Sequence, residues 1–300
     1  MRIGVDVGGT KTLAVAVDDA GRVVAEERRP TGWGPRAVVD GIVAVVAAVA
    51  GGARPAALGI GVPGQISPAG VVRHALNLGI DVFDLADAVR SGVGVLPLIE
   101  NDVRAAAVGA ASLLPAAGAV AYLNLGTGIA AGIARDGMPW RGARGAAGEI
   151  GHISVDPAGP ACRCGQRGCI EALAGGAAVA ARWARPAVLP VVDVFDAADA
   201  GDPLAAALRA DVVRGVTAAA HLLVLTADVD LVVLGGGVSH LGERLRDPVR
   251  TALAAAASGS AFLTSLDLPD RVVPTPPSAP VGALGAALLA GAPAPAVTGV

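Results

Sequence analysis

Residues 2–12 read RIGVDVGGTKT, and the fold is read outward from them. Arg2 to Val7 is short, apolar and β-branched, the pattern of a buried strand. Gly8-Gly9-Thr10-Lys11-Thr12 turns the chain, and LAVAVD (13–18) returns as a second strand. After a turn at residues 18–21, RVVAEER makes a third. Glycines let a backbone approach an anion closely and Thr10 adds a hydroxyl donor, so the first turn can cradle a phosphate. Asp6 falls at the strand end, placed to hold Mg²⁺ through water. This is not a Walker P-loop, because no Gly-Lys-Ser/Thr opens a helix. A plain glycine hairpin is the competing reading.

The pattern recurs. AVAYLNL (119–125) is a strand, Gly126-Thr127-Gly128 a glycine-threonine turn, and residues 129–134 a returning strand, after a hinge at 115–118. Two halves that each begin strand, Gly/Thr turn, strand predict a duplicated α/β architecture. Two such turns could grip the phosphates of one nucleotide from both sides. Between them, residues 35–50 read as a helix with Pro35 in its first turn and Gly51-Gly52 at its end. AALGIGV (56–62) is a buried strand ending at Pro63-Gly64-Gln65, and Val71-Val72 start a short return strand before Asn77. Gly64 and Asn77 could line a pocket, or could be ordinary loop residues.

LPLIE (96–100) is a strand that ends at Asn101-Asp102, and residues 103–114 form an alanine-rich helix. Ligand crevices of open α/β sheets lie at such strand ends, and an Asp there can act as a general base toward a hydroxyl. Asn and Asp are also good helix caps, and the local sequence alone favours the cap. Further on, residues 172–183 and 203–226 read as helices and DLVVL (230–234) as a strand. Gly235-Gly236-Gly237 then leads to a helix from Val238. That turn could accept an adenosine or a phosphate, or simply be tight. Residues 274–280 read as an irregular link, 281–290 as a small-residue helix, and the tail from Pro293 as flexible.

The most distinctive stretch, residues 145–171, reads GAAGEIGHISVDPAGPACRCGQRGCIE. It holds all three cysteines, Cys162, Cys164 and Cys169, together with His152. Three thiols and one imidazole complete a tetrahedral zinc set and leave no place for a catalytic water, so the metal would be structural. Small buried thiols, or a disulfide with one thiol left over, are the alternatives. Gly, Gln and Arg around the cysteines argue against a core strand. A loop held still by zinc would fix Glu149 and Glu171, free to bind something polar.

Hydrophobic residues make up 53% of the 300, enough for substantial cores, and Lys11 is the only lysine. A net charge of -3 without long runs of one sign excludes a basic nucleic-acid surface. Gly, Pro and charges interrupt every candidate membrane span, and no leader pattern follows Met1, so no membrane partner and a cytoplasmic location are expected.

DVGGTKT, PGQI, ENDVRAAA, LNLGTG, GEIGH, CRCGQRGCIE and VVLGGGVS occur in this order, and in them the chain resembles the ROK family (repressor, open reading frame, kinase) over nearly its whole length. Within the family the pattern is nearest that of bacterial glucokinases. The resemblance implies an actin-like ATPase (ribonuclease H-like) fold: two α/β domains around a cleft, residues 1–116 with 281–292 and residues 117–280. It implies ATP-dependent phosphorylation of a hexose 6-hydroxyl, most simply glucose. Mannose, fructose, allose, an N-acetylhexosamine, another donor such as polyphosphate, or a sugar-sensing role are the alternatives.

Carried over by position, the resemblance makes Asp102 the base. Gly64, Asn77, Asn101, Glu149, His152 and Glu171 become sugar contacts, and His152, Cys162, Cys164 and Cys169 zinc ligands. Asp6, Gly8, Gly9, Thr10, Lys11, Gly126, Thr127 and Gly128 become MgATP phosphate positions, and Gly235, Gly236 and Gly237 the adenosine side. It also implies a homodimer or homotetramer. The chain opens directly on the first phosphate motif, without the helix-turn-helix of ROK repressors, which argues against a DNA-binding regulator. Many glucokinases carry Ala-Asn where this chain has Val103-Arg104, and Arg104 is expected near the sugar, where it could alter substrate choice.

Overall fold

The computed structural model describes residues 1–292; the flexible tail expected from residue 293 lies outside them. In chain order the elements are β1 (Arg2–Val7), β2 (Lys11–Val17), β3 (Val23–Pro30), α1 (Pro35–Ala50), β4 (Ala57–Val62), β5 (Gln65–Ile66), β6 (Val71–Ala75), β7 (Ile80–Asp84), α2 (Leu85–Val93), β8 (Leu98–Asn101), α3 (Asp102–Leu113), β9 (Val120–Leu125) and β10 (Ile129–Arg135). They continue as β11 (Met138–Pro139), α4 (Ile170–Ala174), α5 (Gly176–Trp183), α6 (Pro190–Asp199), α7 (Pro203–Ala227), β12 (Leu231–Gly235), α8 (Glu243–Ala257), α9 (Ala261–Thr264), β13 (Val272–Pro274) and α10 (Val281–Ala290). Two compact units result: Met1–Leu114 with Gly137–Pro139 and the chain from Ser278, and Pro115–Asp136 with Trp140–Pro277.

The first unit is built on a sheet of order β3-β2-β1-β4-β8. The hairpins β1–β2 and β2–β3 are antiparallel; β1–β4 and β4–β8 are parallel. Its core is aliphatic, with Ile3, Val5, Ile42, Leu58 and Ile60 almost wholly buried. The helix α10 lies close against the sheet and α3, because small residues face each other. A methyl group on Gly109 would fall on the Val281 carbonyl, and one on Gly285 on that of Ala105. Such close backbone packing fixes α3, whose amino end carries the Asn-Asp pair.

In the second unit the order β10-β9-β12-β13 repeats β2-β1-β4-β8, with the same directions: antiparallel, then parallel twice. The repeat glimpsed in the two Gly/Thr turns is therefore a repeat of sheet topology. Trp183 and Phe195 fill its core beside α7. Among the described residues α7 alone is long and apolar enough, by length and composition, to cross a membrane, and charges and a glycine interrupt it as expected. Ala205, Leu208, Val212, Val216, Ala219 and Leu223 run along it into the core, so its apolar character serves packing.

Three expectations change. Residues 172–183 form two helices, because Gly175 is extended and the first amides of α5 turn to the carbonyls of Gly126 and Thr127. The helix expected from Val238 is a 3₁₀ turn, Gly237–Leu241; Gly242, at φ 60° and ψ −127°, ends it before α8 begins. Pro274 closes strand β13 rather than opening a link.

Candidate functional site

In the first unit the site begins where β8 meets α3. Asn101 is extended, with φ −65° and ψ 139°, and its Oδ1 accepts from the amides of Val103 (3.1 Å) and Arg104 (3.2 Å). It is the helix cap that the local sequence favours. Its Nδ2 donates to the Gly64 carbonyl at 3.3 Å, which leaves one amide hydrogen for a ligand hydroxyl. Gly64 has φ 100°, and a methyl group there would strike the Arg73 carbonyl. Asp102 is the first residue of α3, and its Oδ1 accepts the Val103 amide at 3.0 Å. A helix amino end favours a negative charge there.

Asp6, one residue before the end of β1, is close enough to feel that charge. Burial pushes its carboxyl up to about 7, the negative charge of Asp102 adds to the rise, and Lys11 opposes it. The first turn is closed by Gly8 N–H to the Lys11 carbonyl at 3.0 Å, and Gly9 lies against Asn77, on a short 3₁₀ turn. The structure thus brings Asp6, Gly9, Lys11, Asn77, Gly64, Asn101 and Asp102 to one end of one sheet. Arg104, on the first turn of α3, is buried and gives its Nε to Glu100 at 2.8 Å.

The second unit carries a glycine turn of its own. Its Gly126–Gly128 turn is closed by Gly126 N–H to the Gly128 carbonyl at 3.1 Å. Two amides at the start of α5 hold its outer carbonyls: Gly176 bonds Gly126 at 2.9 Å and Ala177 bonds Thr127 at 3.0 Å. Glu171, on α4, accepts the Ile129 amide through Oε2 at 3.1 Å, while Arg163 lies 3.4 Å from Oε1. Gly128 must be small, since a methyl group there would strike the Glu171 carboxylate. Glu149 caps the 3₁₀ turn that ends at His152, and its side chain is exposed. At the Gly235–Gly237 turn, Gly235 meets the Tyr122 ring and Gly236 the Leu125 carbonyl, whereas Gly237 faces open space. Tight packing therefore accounts for two of those glycines.

The cysteine loop is tied down independently. Gly165 N–H bonds the Cys162 carbonyl at 3.0 Å, Cys162 N–H the Gln166 carbonyl at 2.8 Å, and Gly168 N–H the Pro160 carbonyl at 2.7 Å. Gln166 also donates through Nε2 to the His152 carbonyl at 3.0 Å. The ligand atoms of His152, Cys162 and Cys164 lie within 4.8 Å of one another. Cys169 Sγ is 3.6 Å from Cys164 Sγ, and Cys162 Sγ is 3.9 Å from His152 Nδ1. Zinc with Zn–S bonds of about 2.3 Å separates its tetrahedral sulfurs by about 3.8 Å, close to the Cys164–Cys169 spacing, while Cys169 lies outside the three whose ligand atoms are all within 4.8 Å of one another. Hydrogen bonds from Gln166, its backbone amide first, pull the Cys164 thiol down to about 6, and burial pushes that of Cys169 up to about 12. A bound dication would supply the countercharge that the Cys169 thiolate needs.

Neither Glu100 nor the Arg163–Glu171 pair stands out in the sequence; the four-residue spacing of Glu100 and Arg104 was the available signal for the first.

Comparison with known proteins adds a second line. The family model described as the ROK family matches residues 2–292. Glucokinase of Streptomyces coelicolor is 31% identical over 273 residues, 83% of this chain and 86% of that protein. N-acetylmannosamine kinase of Citrobacter koseri is 32% identical over 192 residues, 60% of this chain and 63% of that protein. A crystal structure of a ROK family glucokinase from Streptomyces griseus, in complex with glucose and AMPPNP, superposes with a TM-score of 0.76 at 33% identity, covering 96% of this chain and 98% of that one.

Proposed function

Because the chain belongs to the ROK family and has its actin-like ATPase fold, we propose that it transfers a phosphoryl group from ATP to the 6-hydroxyl of a hexose, glucose first. The observation that carries this is the junction of β8 and α3, where the Asn101 cap sets Asp102 at a helix amino end beside Asp6.

A sugar hydroxyl is a weak nucleophile. Asp102 accepts its proton as the phosphoryl group arrives, which makes the oxygen reactive only when the donor is in line. Asn101 offers its remaining amide hydrogen to a neighbouring hydroxyl and so orients the sugar. Glu149, His152 and Glu171 are assigned to further hydroxyls, whose hydrogens need fixed acceptors; a sugar lacking one would leave a buried acceptor unpaired. Glu171 already holds the Ile129 amide, so sugar affinity and the shape of the Gly126–Gly128 turn are linked. Both glycine turns and Lys11 are assigned to the phosphates, and Gly235–Gly237 to the adenosine side. Mg²⁺, when bound, neutralises developing charge; Asp6 is its assigned holder, through water.

His152, Cys162, Cys164 and Cys169 would hold the zinc, which when bound supplies structural rigidity and no reactive water. The loop's residues then keep Glu171 and His152 in place. The similarity to an N-acetylmannosamine kinase makes an N-acetylated hexosamine the second sugar to try.

Sugar-dependent ADP release across a hexose panel with MgATP tests the reading. Strong release with glucose supports it; none with any sugar, while glucose still raises thermal stability, moves the reading to a sensor.

A further inference from the structure

We propose that the buried Glu100–Arg104 pair is a positioning device for Asn101 and Asp102. Arg104 Nε donates to Glu100 Oε1 at 2.8 Å, and the side chains are only 7% and 2% exposed. The same Oε1 accepts the Asn101 amide at 2.8 Å. Asn101 in turn caps the amides of Val103 and Arg104. The bonds close a ring, from Glu100 to Asn101, from Asn101 to the first turn of α3, and from Arg104 back to Glu100. Asp102 sits inside that ring.

Two features separate this from ordinary core chemistry. A buried ion pair is weak evidence for stability, because desolvating two charges consumes most of what their attraction returns. Apolar residues of similar volume often serve a core as well. And the pair does not lie within one helix: it spans the last strand turn and the first helical turn, across the junction that the proposed base occupies. An ion pair with a shared acceptor fixes the direction in which the strand hands over to the helix, and with it the direction of the Asp102 side chain. Arg104 thus acts on the reaction through Asn101 and Asp102, not by touching the sugar. Its catalytic consequence rests on the kinase reading above; the geometric consequence does not.

Arg104→Met alone takes the guanidinium away from the buried Glu100 carboxylate and is expected to lower Tm. Glu100→Leu/Arg104→Met removes both charges but also the acceptor of the Asn101 amide, and is expected to fold with a Tm between those of Arg104→Met and the parent. In that double variant the amides at positions 103 and 104 should exchange with deuterium at least about tenfold faster, as their cap loosens. kcat should fall by about 10–100-fold with the KM for ATP unchanged, the size of loss that misplacing a catalytic group by about 1 Å produces. Parental exchange at both amides, or a folded double variant with parental kcat, overturns the proposal. Should the double variant not fold, Arg104→Lys, which keeps a cation but not the guanidinium fork, decides on the same two readouts. A parent that releases no ADP with any hexose refutes the kinase reading separately, and the exchange rates then decide the positioning.

Discussion

Gly168 offers a sharp test of the cysteine loop. It precedes Cys169, has φ 64°, and a Cβ built on it would lie 1.6 Å from the Asp156 carbonyl oxygen. Real Cβ contacts essentially never fall below 3.0 Å, so Gly168→Ala must shift the backbone by about 1.4 Å, the difference of those two distances. Zinc–ligand distances tolerate about ±0.2 Å, so a displacement several times larger next to Cys169 breaks the coordination geometry. The left-handed conformation itself costs a non-glycine residue about 1–2 kcal/mol. Gly165 isolates that conformational part: its φ is 92°, yet a Cβ there meets nothing within 4 Å. By conformation alone Gly165→Ala should weaken zinc by about 5–30-fold at most, whereas Gly168→Ala should weaken it far more. Competition against a chromophoric chelator reads both affinities, and sugar KM follows in the same preparations. Gly168→Ala that holds zinc as tightly as Gly165→Ala refutes the reasoning.

Other consequences are as direct. Gly109→Ala should lower stability by about 1–3 kcal/mol or more, because the methyl group overpacks α3 against the Val281 carbonyl. Gly41→Ala, in open space on α1, should raise stability by about 0.4–1 kcal/mol; denaturant unfolding compares the two. In the folded chain Asp6 keeps its proton up to about 7, whereas unfolded it loses it near 3.8. Between those values the folded state binds more protons, so this contribution is full below the lower value and is lost as pH rises through about 7. Without Mg²⁺, Asp6→Asn should therefore gain stability relative to the parent between about pH 5 and about pH 8, by no more than about 4 kcal/mol; a parallel pair of pH profiles would contradict it. Cys164→Ser should lose zinc and raise the KM for sugar more than that for ATP; metal analysis with paired KM values checks it, and a metal-free protein with parental KM values would refute the structural role of zinc.

Much of this architecture is legible in residues 2–12 and 119–128, because a strand, a Gly/Thr turn and a returning strand are local events written in alternating apolar residues and glycine. The cysteine stretch is legible for a similar reason, since all of its candidate ligands lie within eighteen residues, from His152 to Cys169. What escaped depends on contacts distant in sequence. The break at Gly175 follows from the demand of the Gly126–Gly128 turn for two amides, fifty residues away, and nothing in an alanine-rich run announces it. β13 is three residues long and earns its strand identity only by pairing with β12. Arg104 is a different case: its partner Glu100 is only four residues back, but the pair forms across a strand-to-helix junction that the local pattern does not show. Asn101 shows the opposite case, where the modest local reading of a helix cap is realised and the assignment to a sugar hydroxyl rests on the one hydrogen the cap leaves over.

The central claim is that Asp102 is the base of a hexose kinase. Its most direct test is the kcat of Asp102→Asn against the parent, by ADP release with saturating glucose and MgATP, with glucose binding measured by calorimetry. The account predicts a loss of about 10²–10⁴-fold in kcat with glucose affinity held within a few-fold. A variant that keeps most of its turnover while binding glucose normally would contradict it.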